Sequence, residues 1–280
     1  MLSKHEGAGN DFLVLVDADQ RWSLTAAEAR ALCDRRRGVG ADGLLICGVG
    51  DGTVDAGADL TMALFNADGS EAEMSGNGIR CLVQAATTAG LVEPGTVSVV
   101  TGAGLRTVEY HEGERPGVGT ASVDMGPVRL GAERPSPIAG HRARLVDVGN
   151  PHLVVLGDLD LDQVDLARVG TAAARGVPGG LNVEIVAPGP GPEALRLRVW
   201  ERGVGETGAC GTGSCAAAAV ARAWGVVGDR VQVHNPGGTL EVRLASGADG
   251  PAVLAGPVRH VADVVVAPAE LSGGAADRWA

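Results

Sequence analysis

Lysine is almost missing from this sequence: Lys4 is the only one in 280 residues. A mechanism built on a lysine Schiff base, as in pyridoxal phosphate chemistry, would have to rest on that one residue near a terminus. It is set aside. Apolar runs long enough to span a bilayer are also lacking, and the opening MLSKHEGAGNDF has no basic stretch followed by an apolar one. Neither a membrane span nor a secretory signal is therefore expected. Lys/Arg-rich blocks interleaved with aromatics are missing beyond Arg35 to Arg37, and the formal net charge is −11, which excludes nucleic acid and anionic membrane as expected partners. The five cysteines are odd in number, and neither Cys-x-x-Cys nor His-x-x-x-His spacing occurs, so neither a disulfide framework nor a metal site is expected. What remains is 45% apolar and 20% charged: a soluble chain, taken as cytoplasmic, long enough for one large domain or two of ordinary size.

The chain repeats itself. GNDFLVLVD (Gly9 to Asp17) is answered by GNPHLVVLGD (Gly149 to Asp158), each a Gly-Asn turn feeding an apolar run of strand character. SGNGIRCLVQAATTAG (Ser75 to Gly90) is answered by CGTGSCAAAAVARAWG (Cys210 to Gly225), each a small-residue turn and a helix-length segment ending in Gly. Alternating runs follow both, TVSVVTGAGLRTVEY and RVQVHNPGGTLEVRL, and each reads as strand, turn and strand. Three matched elements recur in the same order.

The spacing thus predicts an α+β fold of two pseudo-symmetric halves. Each is a mostly antiparallel sheet wrapped around one central helix, near residues 76–90 and 211–225, with the active site in a cleft between the halves. A smaller helix is expected from Thr25 to Gly38, with Thr25 as N-cap, Glu28 completing a capping box and Gly38 as the stop. Pro/Gly-rich stretches place a boundary near residue 120. The N-terminal half is 1–120, with 259–280 returning to it, and the C-terminal half is 121–258. A pseudo-two-fold axis would then bring residues 75 and 210 face to face.

Such a cleft suits proton transfer. Helix N-termini bind carboxylates through unpaired N–H groups and a partial positive charge. The same field lowers a cysteine pKa from about 8.5 and makes thiolate accessible. Opposed acid/base groups on two faces of a carbon invert it, one removing a proton and the other delivering one, and fixed N–H dipoles can stabilise the enolate without a cofactor.

At this point a family resemblance emerges. KHEGAGNDF, GVGADGLL, FNADGSEAEMSGNGIRC, DVGNPHLVV, LNVEI and ERGVGETGACGTG resemble, in order and spacing, the signature segments of the diaminopimelate epimerase family. These are cofactor-independent amino-acid epimerases with two cysteine acid/bases, and the similarity covers nearly the whole chain. It implies interconversion of LL- and meso-diaminopimelate in lysine and peptidoglycan biosynthesis, two pseudo-symmetric α/β halves and a homodimeric assembly. By the same resemblance Cys210 matches the second catalytic cysteine, and Ser75 stands where the first belongs. Asn10, Asn66, Asn150 and Asn182 match substrate-binding asparagines, and Glu201 with Arg202 matches a pair meeting the distal end of the substrate. Gly76-Asn77 and Gly211-Thr212 match the cradle for the reacting carboxylate, while His152 and Glu201 match side chains that tune the thiols. The opening Lys4-His5-Glu6-Gly7 departs from the family's usual Lys-Met-His-Gly, so no role is given to His5 or Glu6.

Plainer readings stand beside these. Cys33, Cys47, Cys81 and Cys215 read as small buried hydrophobes, and Asn beside Gly is ordinarily turn punctuation, which would account for Asn10 and Asn150. His152 inside an apolar run is by default a core histidine. GVGADG (Gly38 to Gly43) and GVGETG (Gly203 to Gly208) both fit G-x-G-x-x-G, yet neither follows a strand and opens a helix, so both read as loops. Ser75 weighs most on activity: serine keeps a donor but is a poor base, so a loss of at least about 10²–10⁴-fold relative to two cysteines is expected. Two explanations stay open, a replacement in an otherwise intact epimerase or a natural Ser/Cys pair in a divergent epimerase or one-base dehydratase. A non-catalytic binder of amino-dicarboxylates is the third reading.

Overall fold

The computed structural model describes residues 2–19, 21–50, 57–202, 204–247 and 250–266. Two compact units divide the chain: Met1–Val123 with Pro257–Ala280, and Asp124–Gly256.

In the first unit the elements run β1 (Leu2–Gly7), β2 (Asn10–Val16), α1 (Ala26–Cys33), β3 (Gly43–Val49), β4 (Leu60–Asn66), β5 (Glu71–Ala72), α2 (Gly76–Thr88), β6 (Gly95–Thr101), β7 (Gly104–Glu112) and β8 (Val118–Pro127). The strands β9 (Arg129–Arg134), β10 (Arg142–Asp147) and β11 (Pro151–Leu156) lead to a 3₁₀ turn at Leu161–Gln163 and α3 (Leu166–Ala174). Then come β12 (Asn182–Pro188), β13 (Ala194–Glu201), β14 (Gly205–Thr207), α4 (Gly211–Ala223), β15 (Arg230–Asn235), β16 (Gly238–Leu244) and β17 (Pro251–Val264).

The pairings repeat one for one. β1 and β2 are antiparallel, β2 and β3 parallel, β3 and β4 antiparallel, β4 and β6 parallel, and β6, β7 and β8 antiparallel in turn. β10, β11, β12, β13, β15, β16 and β17 follow the same sequence of directions. β8 and β17 pair, with His260 N–H donating to the Gly117 carbonyl at 2.8 Å in the first unit and Val128 N–H to the Gly250 carbonyl at 3.2 Å in the second. The last seam is filled differently in the two units. β1 takes Arg259 to Val264 of β17 as its other neighbour, and β10 takes β9.

Each barrel closes on a helix. In α2 every residue from Gly76 to Ala86 is buried, including Asn77, Arg80 and Gln84, and α4 is buried at Gly211 and from Gly213 to Ala221. A helix buried on all sides needs apolar or small residues all round, and the run Ala216 to Ala219 lets β-strands approach α4 closely. The outer helices cover the barrels. α1 packs Ala29, Leu32 and Cys33 against Leu13, Leu15 and Leu44, and α3 packs Leu166 and Val169 against Val155 and Ile185.

Several local features differ from the sequence reading. α1 has the expected capping box, with the Thr25 hydroxyl oxygen accepting from Glu28 N–H and the Glu28 carboxylate from Thr25 N–H. It stops at Cys33, however, and Asp34 is the C-cap, because the Asp34 carboxylate draws in the N–H groups of Arg36 and Arg37. The main helices end at Thr88 and Ala223, two residues short of the expected limits. α3 went unforeseen, although Asp165 is an N-cap accepting from Arg168 N–H. The GVGETG segment is not only loop, since Gly205–Thr207 forms β14 against β13. Of the segment 259–280, the part beyond residue 266 lies outside the described residues, as does Gly203.

Candidate active site

Both buried helices begin with an N-cap in extended backbone, one carrying a hydroxyl and the other a thiol. Ser75 caps α2, its Oγ accepting from Gly78 N–H at 3.0 Å. Cys210 caps α4, its Sγ accepting from Gly213 N–H at 3.4 Å. The two N-caps thus make the same bond to the third residue of their helices. A helix's first turn presents N–H groups that the helix itself cannot satisfy, and each head is lined with asparagine.

At the head of α2, the tight β1–β2 turn places Asn10. Ala8 and Gly9 both have positive φ, 54° and 79°, as a two-residue hairpin turn of this hand requires. Asn10 Nδ2 donates to Asp42 Oδ2 at 2.8 Å, which fixes the amide, and its Oδ1 accepts from Asn77 Nδ2 at 3.2 Å. Asn77 Oδ1 in turn accepts from Arg80 Nη2 at 2.8 Å, deep inside the barrel. Asp42 and Asp11 share Arg35, and Lys4 pairs with Asp11 at 2.8 Å. Burial works against the Asp11 charge, but the Arg35 and Lys4 hydrogen bonds outweigh it and hold the carboxyl down to about 2. The lone lysine is therefore committed to this network. Asn66, at the end of β4, donates to Ser70 Oγ at 3.0 Å, and its backbone pairs in register with Gly43.

At the head of α4, Asn150 sits between His152 and Thr212. Its Oδ1 lies 2.7 Å from His152 Nε2, and its Nδ2 reaches Thr212 Oγ1 at 3.5 Å. His152 Nδ1 meets Glu184 Oε1 at 2.7 Å, and both of these side chains are fully buried. Thr212 Oγ1 is 3.4 Å from Cys210 Sγ. Thr207 donates to the Glu201 carboxylate. Asn182 acts as a tie, its Oδ1 accepting from Arg202 N–H at 2.9 Å and its Nδ2 donating to the Pro151 carbonyl at 3.3 Å. Arg202 itself is exposed, with Nη1 donating to the Gly179 carbonyl at 3.1 Å. Cys210, Gly211, Thr212, Asn150, His152, Glu201 and Asn182 are thus gathered on one helix head and its neighbouring strands.

The electrostatics correct one expectation. The helix head does favour a thiolate, through Thr212 and the Gly213 N–H. Burial nevertheless pushes the Cys210 thiol well above its ordinary range, and the charges of Glu201 and Glu184 add to the rise. Burial also pushes the Glu201 carboxyl up, with Thr207 opposing it and Glu184 reinforcing it. Burial and the two carboxyl groups thus favour the thiol form of Cys210. The remaining cysteines fit the plain reading: Cys33, Cys47 and Cys81 are buried and pushed up to about 12 by burial, and Cys215 is buried in α4.

Sequence reasoning missed Asp42, Arg80 and Glu184. The signal for Glu184 was present, a charged residue within NVEIVA, a strand buried on both faces from Asn182 to Ala187. Arg80 gave a similar one, a charge inside an otherwise uncharged helix.

Two repeated units, each a sheet closed round a helix with a hydroxyl or a thiol at its N-cap, define a duplicated α+β fold. The fold is similar to that of a PhzF-family phenazine biosynthesis protein from Bacillus anthracis, with a TM-score of 0.72 at 16% identity over 93% of this chain and 96% of that one. The family model of diaminopimelate epimerase matches residues 2–131 and 144–261, and the chain belongs to that family. It is 42% identical to the diaminopimelate epimerase of Desulforudis audaxviator, over 93% of this chain and 97% of that one. It is 40% identical to that of Rhodococcus jostii, over 97% of both. Membership makes the protein an enzyme of the isomerase class with a small-molecule substrate.

Proposed function

We propose that this protein binds 2,6-diaminopimelate and belongs to the step that interconverts its LL and meso forms, supplying lysine and peptidoglycan synthesis. The observation that carries the reading is the matched pair of N-caps, Ser75 and Cys210, each on a buried helix whose head is lined by an oriented asparagine. Inversion at Cα needs one group to take a proton and another to give one, and residues 75 and 210 are the two candidates. Asn10, Asn77, Asn150 and the first turns of α2 and α4 bind the polar atoms around the reacting carbon. Asn66, Asn182, Glu201 and Arg202 complete the substrate contacts, and His152 with Glu201 sets the proton affinity of Cys210. The setting is cytoplasmic and the substrate is neither nucleic acid nor lipid, a reading supported by the net charge of −11 and five free cysteines. The active assembly is a homodimer.

Serine at position 75 shapes the activity. Its alkoxide is far less accessible than a thiolate, so the chain as it stands is slow, with Cys210 left as the one competent acid/base. The test is incubation in D₂O with LL- and meso-diaminopimelate, following Cα exchange and the isomer ratio, for this protein and for Ser75→Cys. The substitution is expected to raise inversion by at least about 10²-fold, while the serine form exchanges one isomer only. Equal inactivity of both proteins would overturn the reading in favour of another substrate. Saturable binding with no exchange in either would make the protein a binder of amino-dicarboxylates.

A further inference from the structure

The second unit carries a buried polar pair that the first does without. His152 and Glu184 are both 0% exposed. They lie on the parallel neighbours β11 and β12, where His152 pairs with Asn182 and Val154 with Glu184. The same register in the first unit sets Phe12 against Gly43 and Val14 against Leu45, so Phe12 and Leu45 are the counterparts of His152 and Glu184. The correspondence extends to the helices. A Cβ on Gly78 would meet Leu45 Cδ2 at 3.4 Å, and one on Gly213 would meet Glu184 Oε1 at 2.7 Å. One chain builds the same place twice, with an apolar pair in one unit and an ionisable pair in the other. The barrel therefore closes without charge at this position, and burying an ion pair instead of an apolar pair brings no dependable stability. Glu184 Oε2 has no hydrogen-bond partner among the described residues, a cost that packing gives no reason to keep.

The geometry indicates what the pair does. His152 Nδ1 faces Glu184 Oε1 and Nε2 faces Asn150 Oδ1, each at 2.7 Å. Asn150 Oδ1 is an acceptor, so Nε2 carries a proton there, and Nδ1 shares the other hydrogen bond with Glu184 Oε1. The Glu184 carboxyl group thereby fixes the plane and the tautomer of the buried ring. Glu201 also lies within electrostatic reach of His152. With Asn150 Oδ1 occupied by Nε2–H, the amide is left with its N–H groups turned toward Thr212, on the turn that Cys210 caps. We propose that Glu184 is a positioning residue: through His152 it fixes the Asn150 amide so that its N–H groups face the reacting site beside Cys210.

The proposal rests on the epimerase reading for its substrate, but not for the protonation of His152. In ¹⁵N NMR of histidine-labelled protein, His152 is assigned by the resonance lost in His152→Phe. Its Nε2 is expected to be protonated at pH 7.5, and Glu184→Leu is expected to let the proton redistribute between the two ring nitrogens. An unprotonated Nε2 in the unsubstituted protein, or a Glu184→Leu spectrum unchanged at His152, overturns the proposal. In the Ser75→Cys background, Glu184→Leu should lower kcat/KM for diaminopimelate by about 10²-fold, the order of loss caused by a misplaced positioning group. Glu184→Gln, whose amide still hydrogen-bonds to Nδ1, should restore at least part of it. The double variant His152→Phe/Glu184→Leu gives the second unit the apolar pair the first already uses; it should fold and lose no more than the worse single variant. Additive losses, or a Glu184→Leu rate within twofold of its parent, count against the proposal. If Ser75→Cys itself does not epimerise diaminopimelate, the epimerase reading fails, and the NMR result decides this one alone.

Discussion

A sulfur and an oxygen occupy the same cap position in this chain, and their surroundings set them further apart than their own chemistry does. Ser75 is half-exposed beneath a helix that carries buried Arg80, whereas Cys210 is buried with Glu201 and Glu184 around it. The carboxylates and burial raise the thiol, so at neutral pH little of Cys210 is thiolate. If Cys210 is the only competent base while serine holds position 75, removal of Cα–H follows its thiolate fraction. Exchange of the one isomer it serves is then expected to rise about tenfold per pH unit from 7 to 9 and to vanish in Cys210→Ala; a flat profile over that range would contradict the assignment. The matched N-cap places of Ser75 and Cys210 were legible in the sequence because internal repetition aligned them. Glu184 and Asp42 were not, because their partners His152 and Asn10 are 32 residues away in each case, and only strand register brings them together.

Elements meet at a few residues whose replacement separates shape from chemistry. Gly78 and Gly213 are the third residues of α2 and α4, and in an exposed helix either change to alanine would stabilise by about 1 kcal/mol through propensity. Here Gly213→Ala drives a methyl into Glu184 Oε1 at 2.7 Å, whereas Gly78→Ala meets only the Ser75 side chain at 3.1 Å and Leu45 at 3.4 Å. Thermal unfolding is expected to show Gly213→Ala as the more destabilising of the two, together with a larger loss of turnover; the reverse order would mean that Glu184 swings aside freely. His5 plays a comparable part on β1. Its ring meets Ser3 Oγ at 2.9 Å and Gln84 Oε1 at 2.8 Å, and packs edge-on against His260, which pairs with Asp263. Burial lowers its pKa to about 4. Unfolded, it takes a proton near 6.5, so between these values the unfolded chain binds more protons. The stability His5 allows is complete above pH 6.5 and drains by about 3 kcal/mol as pH falls to 4. Urea midpoints at pH 7 and 4.5 should differ less in His5→Gln than in the parent. The α1 cap was legible from Thr25 and Glu28, but its end was not, because the Asp34 carboxylate competes locally with the helix for N–H groups.

Across the whole molecule the duplication seen in the sequence survives as a one-for-one repetition of strand pairings. What the sequence could not convey is which strand finishes which barrel. β17 gives Ala252 to Ala255 to β16 in the second unit and Arg259 to Val264 to β1 in the first. A chain ending at Gly256 is expected to lose amide-exchange protection along Leu2 to Glu6 while β15 and β16 keep theirs; unchanged protection in β1 would show that the seam is dispensable. The other seam is the mirror case, since β9 follows the first repeat along the chain yet flanks β10 of the second. A single repeat standing alone would thus have one unfilled edge and one strand too many. Two loose copies could both be completed only by each inserting its tail into the other. Each repeat thus ends in a strand that completes the other's sheet, so neither repeat, made as a separate polypeptide, is expected to close its own sheet.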